Sequence, residues 1–508
     1  MTALLALTAS AQTWDWTGPS GSIGSPTTGT WSETGHWDQG TAPASANDTI
    51  LNFQSGTSNY DANNNTNITL NRINLTTGDG TNQVRIIGNA LNFGGTTPGI
   101  FYDSTGNFFI RTAISAPGQT LILNSSQIND NFKLNEGGAA GNNSIDVGNL
   151  HITGGRVTLR GTQNNIGAIT LGENAELRTD ANNAINTTAV IHFGVGSEIQ
   201  RAHGAVNFTS GGWQSTTQGA GNIRQSSNTS SGGNFIVNVV ENASYTYSGT
   251  IGTGGSGERT SIIKQGLGTQ ILDGNMSAAG RVGNQVTVEN GLLWLLESRT
   301  IATGNGNASH INSGEFRIDG IILSNAGHDD AINLNNGGTL SGSGEVRRTV
   351  NVAEGGTLSP GGILSGSSTA TLTFGTEATN RTMTLNNGFS YLWEYHTDNS
   401  SDLINIFGAL DLNNSNTDNT VINVVGLNGA TFDPFAGNRI LFATTGGVIG
   451  ASNGQILDWT VNIDGGSTQN WFAVVDGNDV ILAIPEPGTL LLLGITGIAG
   501  LIGFRRRR

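Results

Sequence analysis

GGTLSGSGEVRRTVNVAEGGTLS, residues 337–359, decides how the chain is read. Gly337-Gly338-Thr339-Leu340-Ser341 returns 18 residues later as Gly355-Gly356-Thr357-Leu358-Ser359. Glu345-Val346 and Thr349-Val350-Asn351-Val352 lie between the two copies. Apolar and polar residues alternate over a few positions and then yield to glycine, the pattern of short strands joined by tight turns. A period near 20 with one Gly-Gly-Thr-Leu per turn is that of one coil of a parallel β-helix. Each coil then buries inward Leu, Val and Ile and stacks on its neighbour at the ~4.8 Å strand spacing.

The same short alternation runs outward from this stretch in both directions. Leu121-Ile122-Leu123, Val157-Thr158-Leu159, Ile169-Thr170-Leu171 and Val286-Thr287-Val288 are further examples, and no stretch between residues 13 and 480 sustains a helical period. Asn-Gly and Gly-Gly pairs supply turns with positive φ. Glycine reaches 76 of 508 residues but does not recur every third position, which excludes collagen. Hydrophobic residues make up 36%, enough to bury a core. The expectation is an all-β chain whose main body is a single parallel β-helix over residues 61–365.

Composition also limits function. Cysteine is absent, so disulfides and thiolate metal sites are excluded. Net charge is −15, and four of the 22 basic residues are the terminal arginines, so the body is more acidic still. Such a surface repels nucleic acid and anionic headgroups. The seven histidines show no paired ligand spacing, and no cofactor or metal is expected.

Ile262-Ile263-Lys264-Gln265-Gly266-Leu267-Gly268-Thr269-Gln270-Ile271-Leu272-Asp273-Gly274-Asn275, continued by Val286-Thr287-Val288-Glu289-Asn290-Gly291-Leu292-Leu293, resembles the autotransporter-associated (passenger-associated) β-strand repeat. Gln270 stands where that repeat usually has Leu. The resemblance is clearest over residues 261–362 and implies that the parallel β-helix is right-handed. It does not imply an outer-membrane barrel, because no series of ~10-residue membrane strands is present.

Pro485-Glu486-Pro487 precedes an uncharged run from Gly488 to Phe504, and Arg505, Arg506, Arg507 and Arg508 follow. Seventeen residues of helix span ~25 Å, close to a ~30 Å hydrocarbon core. Four arginines after such a span would hold the tail in the cytoplasm and leave the preceding chain outside. This order closely resembles the PEP-CTERM sorting signal of Gram-negative bacteria. The resemblance implies recognition and cleavage by an exosortase-type membrane enzyme, with Pro485, Glu486 and Pro487 as the motif and Arg505–Arg508 as the cytoplasmic stop. The membrane is then a partner through the C-terminal transmembrane helix, at least until processing. At the other end, an apolar run from Ala3 to Leu7 followed by Ala9-Ser10-Ala11 reads as the remnant of a signal peptide over residues 1–11.

Trp14, Trp16, Trp31 and Trp37 cluster in residues 12–60. Trp31 and Trp37 are candidate carbohydrate contacts, since exposed indole faces bind sugar rings. The other reading of the segment is an aromatic cap over the first coil. Residues 366–483 are the last coils or a C-terminal β cap, and 484–508 are the sorting signal. Catalytic residues are not expected. His328-Asp329-Asp330, and after it Asp398 and Asp402, are the places where carboxylates gather, and such loops read as solvated turns. The expected function is a non-enzymatic surface or extracellular-matrix protein for adhesion or exopolysaccharide association. The alternative is a β-helical polysaccharide lyase or glycoside hydrolase carrying the same tail.

Overall fold

Alternating residues such as Leu121-Ile122-Leu123 do form strands, and nearly every strand pairs in parallel with the one a coil away. The structure is a computed structural model. It describes residues 11–483 apart from 19–27, 57–58, 78–81, 130, 135–143, 162–163, 181–183, 186–187, 202–206, 226–233, 253–260, 277–284, 304–307, 325–330, 363–368, 415–418, 431–438 and 465–470. Among the described residues the helical content is two single turns of 3-10 helix, Thr34–His36 and Leu427–Gly429. No helix among them is long and apolar enough to cross a membrane. The expected membrane helix, residues 488–504, lies outside the described residues, as do residues 1–10 of the signal remnant at 1–11 and the sorting motif.

The chain divides into two compact units. The first comprises residues 1–287, 291–293 and 299–305, and the second 288–290, 294–298 and 306–508. In the first unit an 11-stranded sheet includes Thr13–Asp15, Ile50–Gln54, Arg72–Thr76, Gly99–Asp103, Ile114–Ser125, Ile145–Gly154, Asn165–Leu171 and Val190–Phe193. A 10-stranded sheet takes the alternate strands, from Thr28–Thr30 through Arg156–Leu159, Glu176–Thr179 and Glu198–Arg201 to Thr250–Ile251. Successive strands thus alternate between the two sheets, as in a β-solenoid, and Thr69–Leu70 and Leu91–Phe93 add two further strands to the first.

The second unit stacks three files of strands. Ile332–Leu334, Thr339–Gly342 and Glu345–Val346 make one coil, and Val350–Val352, Thr357–Pro360 and Thr371–Phe374 make the next. The repeated Gly-Gly-Thr-Leu-Ser segments lie directly against one another, with Thr339 opposite Thr357 and Leu340 opposite Leu358. Gly355 enters the second copy at φ +76°, where a Cβ would also sit 2.3 Å from Asn336 Oδ1, so a side chain there is strained and glycine is favoured. Parallel pairing continues from Thr371–Phe374 with Leu403–Ile406 to Val421–Gly426 with Thr460–Ile463. The final strands turn antiparallel: Phe472–Asp476 and Asp479–Ala483 form a hairpin whose second strand pairs with Ile440–Thr444. That change of direction ends the parallel ladder.

The segment read as an autotransporter-type repeat folds as strand, glycine turn, strand. Ser261–Gln265 leads through Gly266, at φ +72°, into Thr269–Leu272. Gln270, in place of the usual Leu, points inward and is fully buried. Its amide accepts from the Trp213 backbone N–H and donates to the carbonyls of Trp213 and Tyr245, at 3.0, 3.0 and 3.1 Å. A polar side chain occupies a core position here because backbone groups of earlier coils satisfy it.

Candidate functional site

The 11-stranded sheet sorts its side chains by parity. Trp14, Leu51, Ile73, Ile100, Leu123, Ile152, Leu171 and Phe193 are register partners in successive strands, and all are buried. One residue further along each strand, side chains face the other way. Asp15, Asn52, Asn74, Phe101 and Asn124 make that outward file. Two residues on, Gln54, Thr76 and Asp103 make a second. A groove of about 390 Å³ lies here, lined by Asp15, Asn52, Gln54, Asn74, Thr76, Phe101 and Asp103.

Hydrogen bonds between coils fix the groove's amides. Asn74 Nδ2 donates to Asn52 Oδ1 at 2.7 Å, and Asn52 Nδ2 donates to Asp15 Oδ1 at 2.5 Å. The Asp15 backbone N–H donates in turn to Asp38 Oδ1 at 2.8 Å. Ser126 Oγ donates to Asp103 Oδ1 at 2.7 Å. Phe101 is the one aromatic ring in this lining. The Arg72 guanidinium carbon lies 4.3 Å from its centroid, a cation–π contact. Gly99 gives the ring room, since a Cβ there would come within 2.8 Å of Phe101 Cε2. The result is a half-buried apolar ring beside carboxylate, amide and hydroxyl groups, a set able to contact both the C–H face and the hydroxyls of a sugar.

The two carboxylates of the groove are poorly placed for two-carboxylate hydrolysis. Asp15 and Asp103 lie three strands apart. At the usual strand spacing and rise their backbone positions are roughly 15 Å apart. Glycosidase pairs need their carboxyl groups ~5–9.5 Å apart.

Trp31 and Trp37 are not at this surface. They are 0% and 2% exposed, and Trp14 and Trp16 are buried as well. Trp37 packs edge-on to Trp31 and Trp16, with ring centroids 6.1 and 5.0 Å away, and Trp31 lies 5.8 Å from Phe53. Trp37 Nε1 donates to the Trp31 carbonyl at 3.0 Å. Stacking on a sugar needs an open ring face, and neither indole has one. The reading of Trp31 and Trp37 as carbohydrate contacts is therefore corrected: these rings fill the interior of the first coil.

Asp398 and Asp402 occupy opposite environments. Asp398 is exposed in a turn, where Ser400 N and Oγ donate to its Oδ1 at 2.9 and 2.6 Å, and these bonds lower its pKa. Asp402 is fully buried. Its carboxyl accepts from the backbone N–H groups of Ala370 and Glu394 at 2.8 and 3.0 Å. Burial pushes its pKa up to about 8 against the pull of those two bonds, and the nearby Glu394 carboxylate adds to the rise. Burial raises the Glu394 pKa as well. Asp402 thus ties two coils together through their backbones. His328, Asp329 and Asp330 lie outside the described residues, as do Pro485, Glu486, Pro487 and Arg505–Arg508. Among the described residues no group of three or more His, Cys, Asp or Glu is arranged to hold a metal ion.

Sequence reasoning missed the groove. Its first outward file is built from residues separated by uneven intervals, 37 from Asp15 to Asn52 and 22 from Asn52 to Asn74. A polar residue at each alternate strand position was the signal available, and it recurs along the whole chain.

Residues 483–508 match the PEP-CTERM protein-sorting motif. No curated protein matches the chain.

Proposed function

We propose that this is a non-enzymatic exported protein of the cell surface or extracellular matrix, handled at its C-terminus by an exosortase-type enzyme and associating with exopolysaccharide. The observation that carries the proposal is the sorting motif at residues 483–508. In this reading Pro485-Glu486-Pro487 is recognised, Gly488–Phe504 crosses the membrane before cleavage, and Arg505–Arg508 stay in the cytoplasm. The N-terminal signal remnant fits the same route. The body is a right-handed parallel β-helix whose residues 261–362 are passenger-type repeats. Support for the latter is the strand, glycine turn, strand form of residues 261–272 and the stacked Gly-Gly-Thr-Leu-Ser copies.

Contact with polysaccharide is favoured by outward files of amides held between coils. Asn52–Asn74, Asn312–Asn335, Asn333–Asn351 and Asn423–Asn462 all bond side chain to side chain. Many weak polar contacts along such files add up when a polymer engages several together. The wide separation of Asp15 and Asp103 speaks for binding over cleavage at the groove. Mass spectrometry of the protein recovered from the native cell surface tests the proposal. A C-terminus near Pro487 is expected, and an intact Arg508 in the membrane fraction would overturn the sorting reading.

A further inference from the structure

The extracellular reading above leaves open whether any one place on the surface is a site. We infer that the groove between Asp15 and Asp103 is a discrete binding site for a neutral, extended oligosaccharide. The inference rests on the proposal above and narrows it from a distributed polar face to one location.

Three observations carry it. First, Phe101 is an aromatic ring placed on the outward file, where its register neighbours Asn52, Asn74 and Asn124 are uniformly polar. Inward burial does not account for it, and Arg72 and Gly99 hold it in position. A ring fixed in this way offers apolar contact to the C–H side of a pyranose. Second, the polar groups supply both halves of hydroxyl recognition. Asp15 and Asp103 accept, while Asn52, Gln54, Asn74 and Thr76 can donate and accept. Because Asn74, Asn52 and Asp15 already bond to one another across coils, these groups are ordered before a ligand arrives. Third, carboxylates stand at both ends of the groove on a chain of net charge −15. That arrangement disfavours uronate or phosphate-bearing glycans and leaves neutral ones. A glycan lying along the file would meet one register position every ~4.8 Å, which is close to the advance of one sugar unit in an extended chain.

Isothermal titration of the full chain with cellohexaose, β-1,4-mannohexaose and hexagalacturonate tests this. Binding of a neutral hexamer is expected, with hexagalacturonate at least tenfold weaker. Phe101→Ala should weaken the neutral hexamer roughly tenfold, the scale of one aromatic contact. Gln54→Ala, at an exposed position, should weaken it about threefold with unchanged thermal unfolding, so the test survives if Phe101→Ala misfolds. Asn333→Ala, on an outward amide file of the second unit, separates the two readings: contact spread over the files predicts the same loss as Phe101→Ala, and one groove predicts no loss. Equal losses from Asn333→Ala and Phe101→Ala would overturn the discrete site and leave distributed contact standing. No binding of either neutral hexamer, or equal binding of hexagalacturonate, would also overturn it. The mass of the processed C-terminus, measured on the same variants, reads the sorting proposal separately.

Discussion

Lys264 in the first unit and Asp402 in the second are both fully buried, and burial moves them in opposite directions to the same place. The Lys264 ammonium donates to the carbonyls of Gln265 and Gly266 at 2.8 Å each, yet burial lowers its pKa to about 8. Asp402 accepts from two backbone N–H groups, yet burial raises its pKa to about 8. Excluding water penalises charge of either sign, and a pair of good hydrogen bonds does not restore what bulk water supplied. The consequences for stability differ in sign. An unfolded aspartate titrates at 3.8, so between there and about 8 the folded second unit keeps a proton that the unfolded chain has lost. Stability of that unit therefore falls as pH rises across this window. An unfolded lysine titrates at 10.5, so between about 8 and 10.5 the unfolded chain keeps a proton that the folded first unit has lost. Stability of the first unit therefore rises with pH across that range.

The hardest way to break this contrast is Asp402→Ala. It strands the Ala370 and Glu394 amides and should cost the second unit roughly 2–4 kcal/mol in urea unfolding at pH 6. Asp402→Asn should cost roughly half as much at the same pH, because its Oδ1 keeps one of the two backbone N–H bonds while its Nδ2 meets the other donor. It should also flatten the slope between pH 4 and 8; a slope that persists assigns the titration to Glu394, whose pKa burial also raises. In the unaltered protein, the second unit should lose on the order of 1 kcal/mol per pH unit through that window. Hydrogen exchange pulsed at one fixed pH and read on residues 390–406 measures it. Lys264→Met should abolish the alkaline rise read on residues 261–265 and change stability at pH 7 by less than ~1.5 kcal/mol. The smallest effect belongs to Asn333→Ala, which loses its bond to Asn351 Nδ2 and should shift the second unit by less than ~0.5 kcal/mol.

How much of this was legible in the sequence follows from what each signal encodes. Alternation encodes strand and face, so Leu121–Leu123, Val157–Leu159 and Ile169–Leu171 appear as strands with the expected inward residues. Repetition encodes register, so Gly337–Ser341 lies against Gly355–Ser359. Neither signal says which aromatic residues are inside when strands are three residues long and separated by glycine. Trp31 and Trp37 look like surface rings by spacing, and they are core because the turns that carry them fold their rings against Trp16 and Phe53. Asp402 looks like a loop carboxylate because Asp398 and Ser400 surround it with turn residues. Its burial comes from Ala370 and Glu394, which the chain brings to it from 32 and 8 residues away. Phe101 reads as one more strand aromatic until register places it among asparagines.

The distance between register partners varies while the register itself does not. Asn333 and Asn351 are 18 residues apart, Asn52 and Asn74 are 22, and Asn423 and Asn462 are 39. Strands separated by such different lengths of chain therefore present the same edges to one another. A gene encoding such a chain can lose residues 339–356 and bring Thr357 and Leu358 to where Thr339 and Leu340 had been, so that Glu315–Ile318, Ile321–Ser324 and Ile332–Leu334 meet Thr357–Pro360, Thr371–Phe374 and Met383–Asn386 in place of the strands lost. Unequal crossing-over between Gly-Gly-Thr-Leu-Ser copies makes that change in one event. The number of coils then becomes a heritable ruler, graduated in steps of ~4.8 Å.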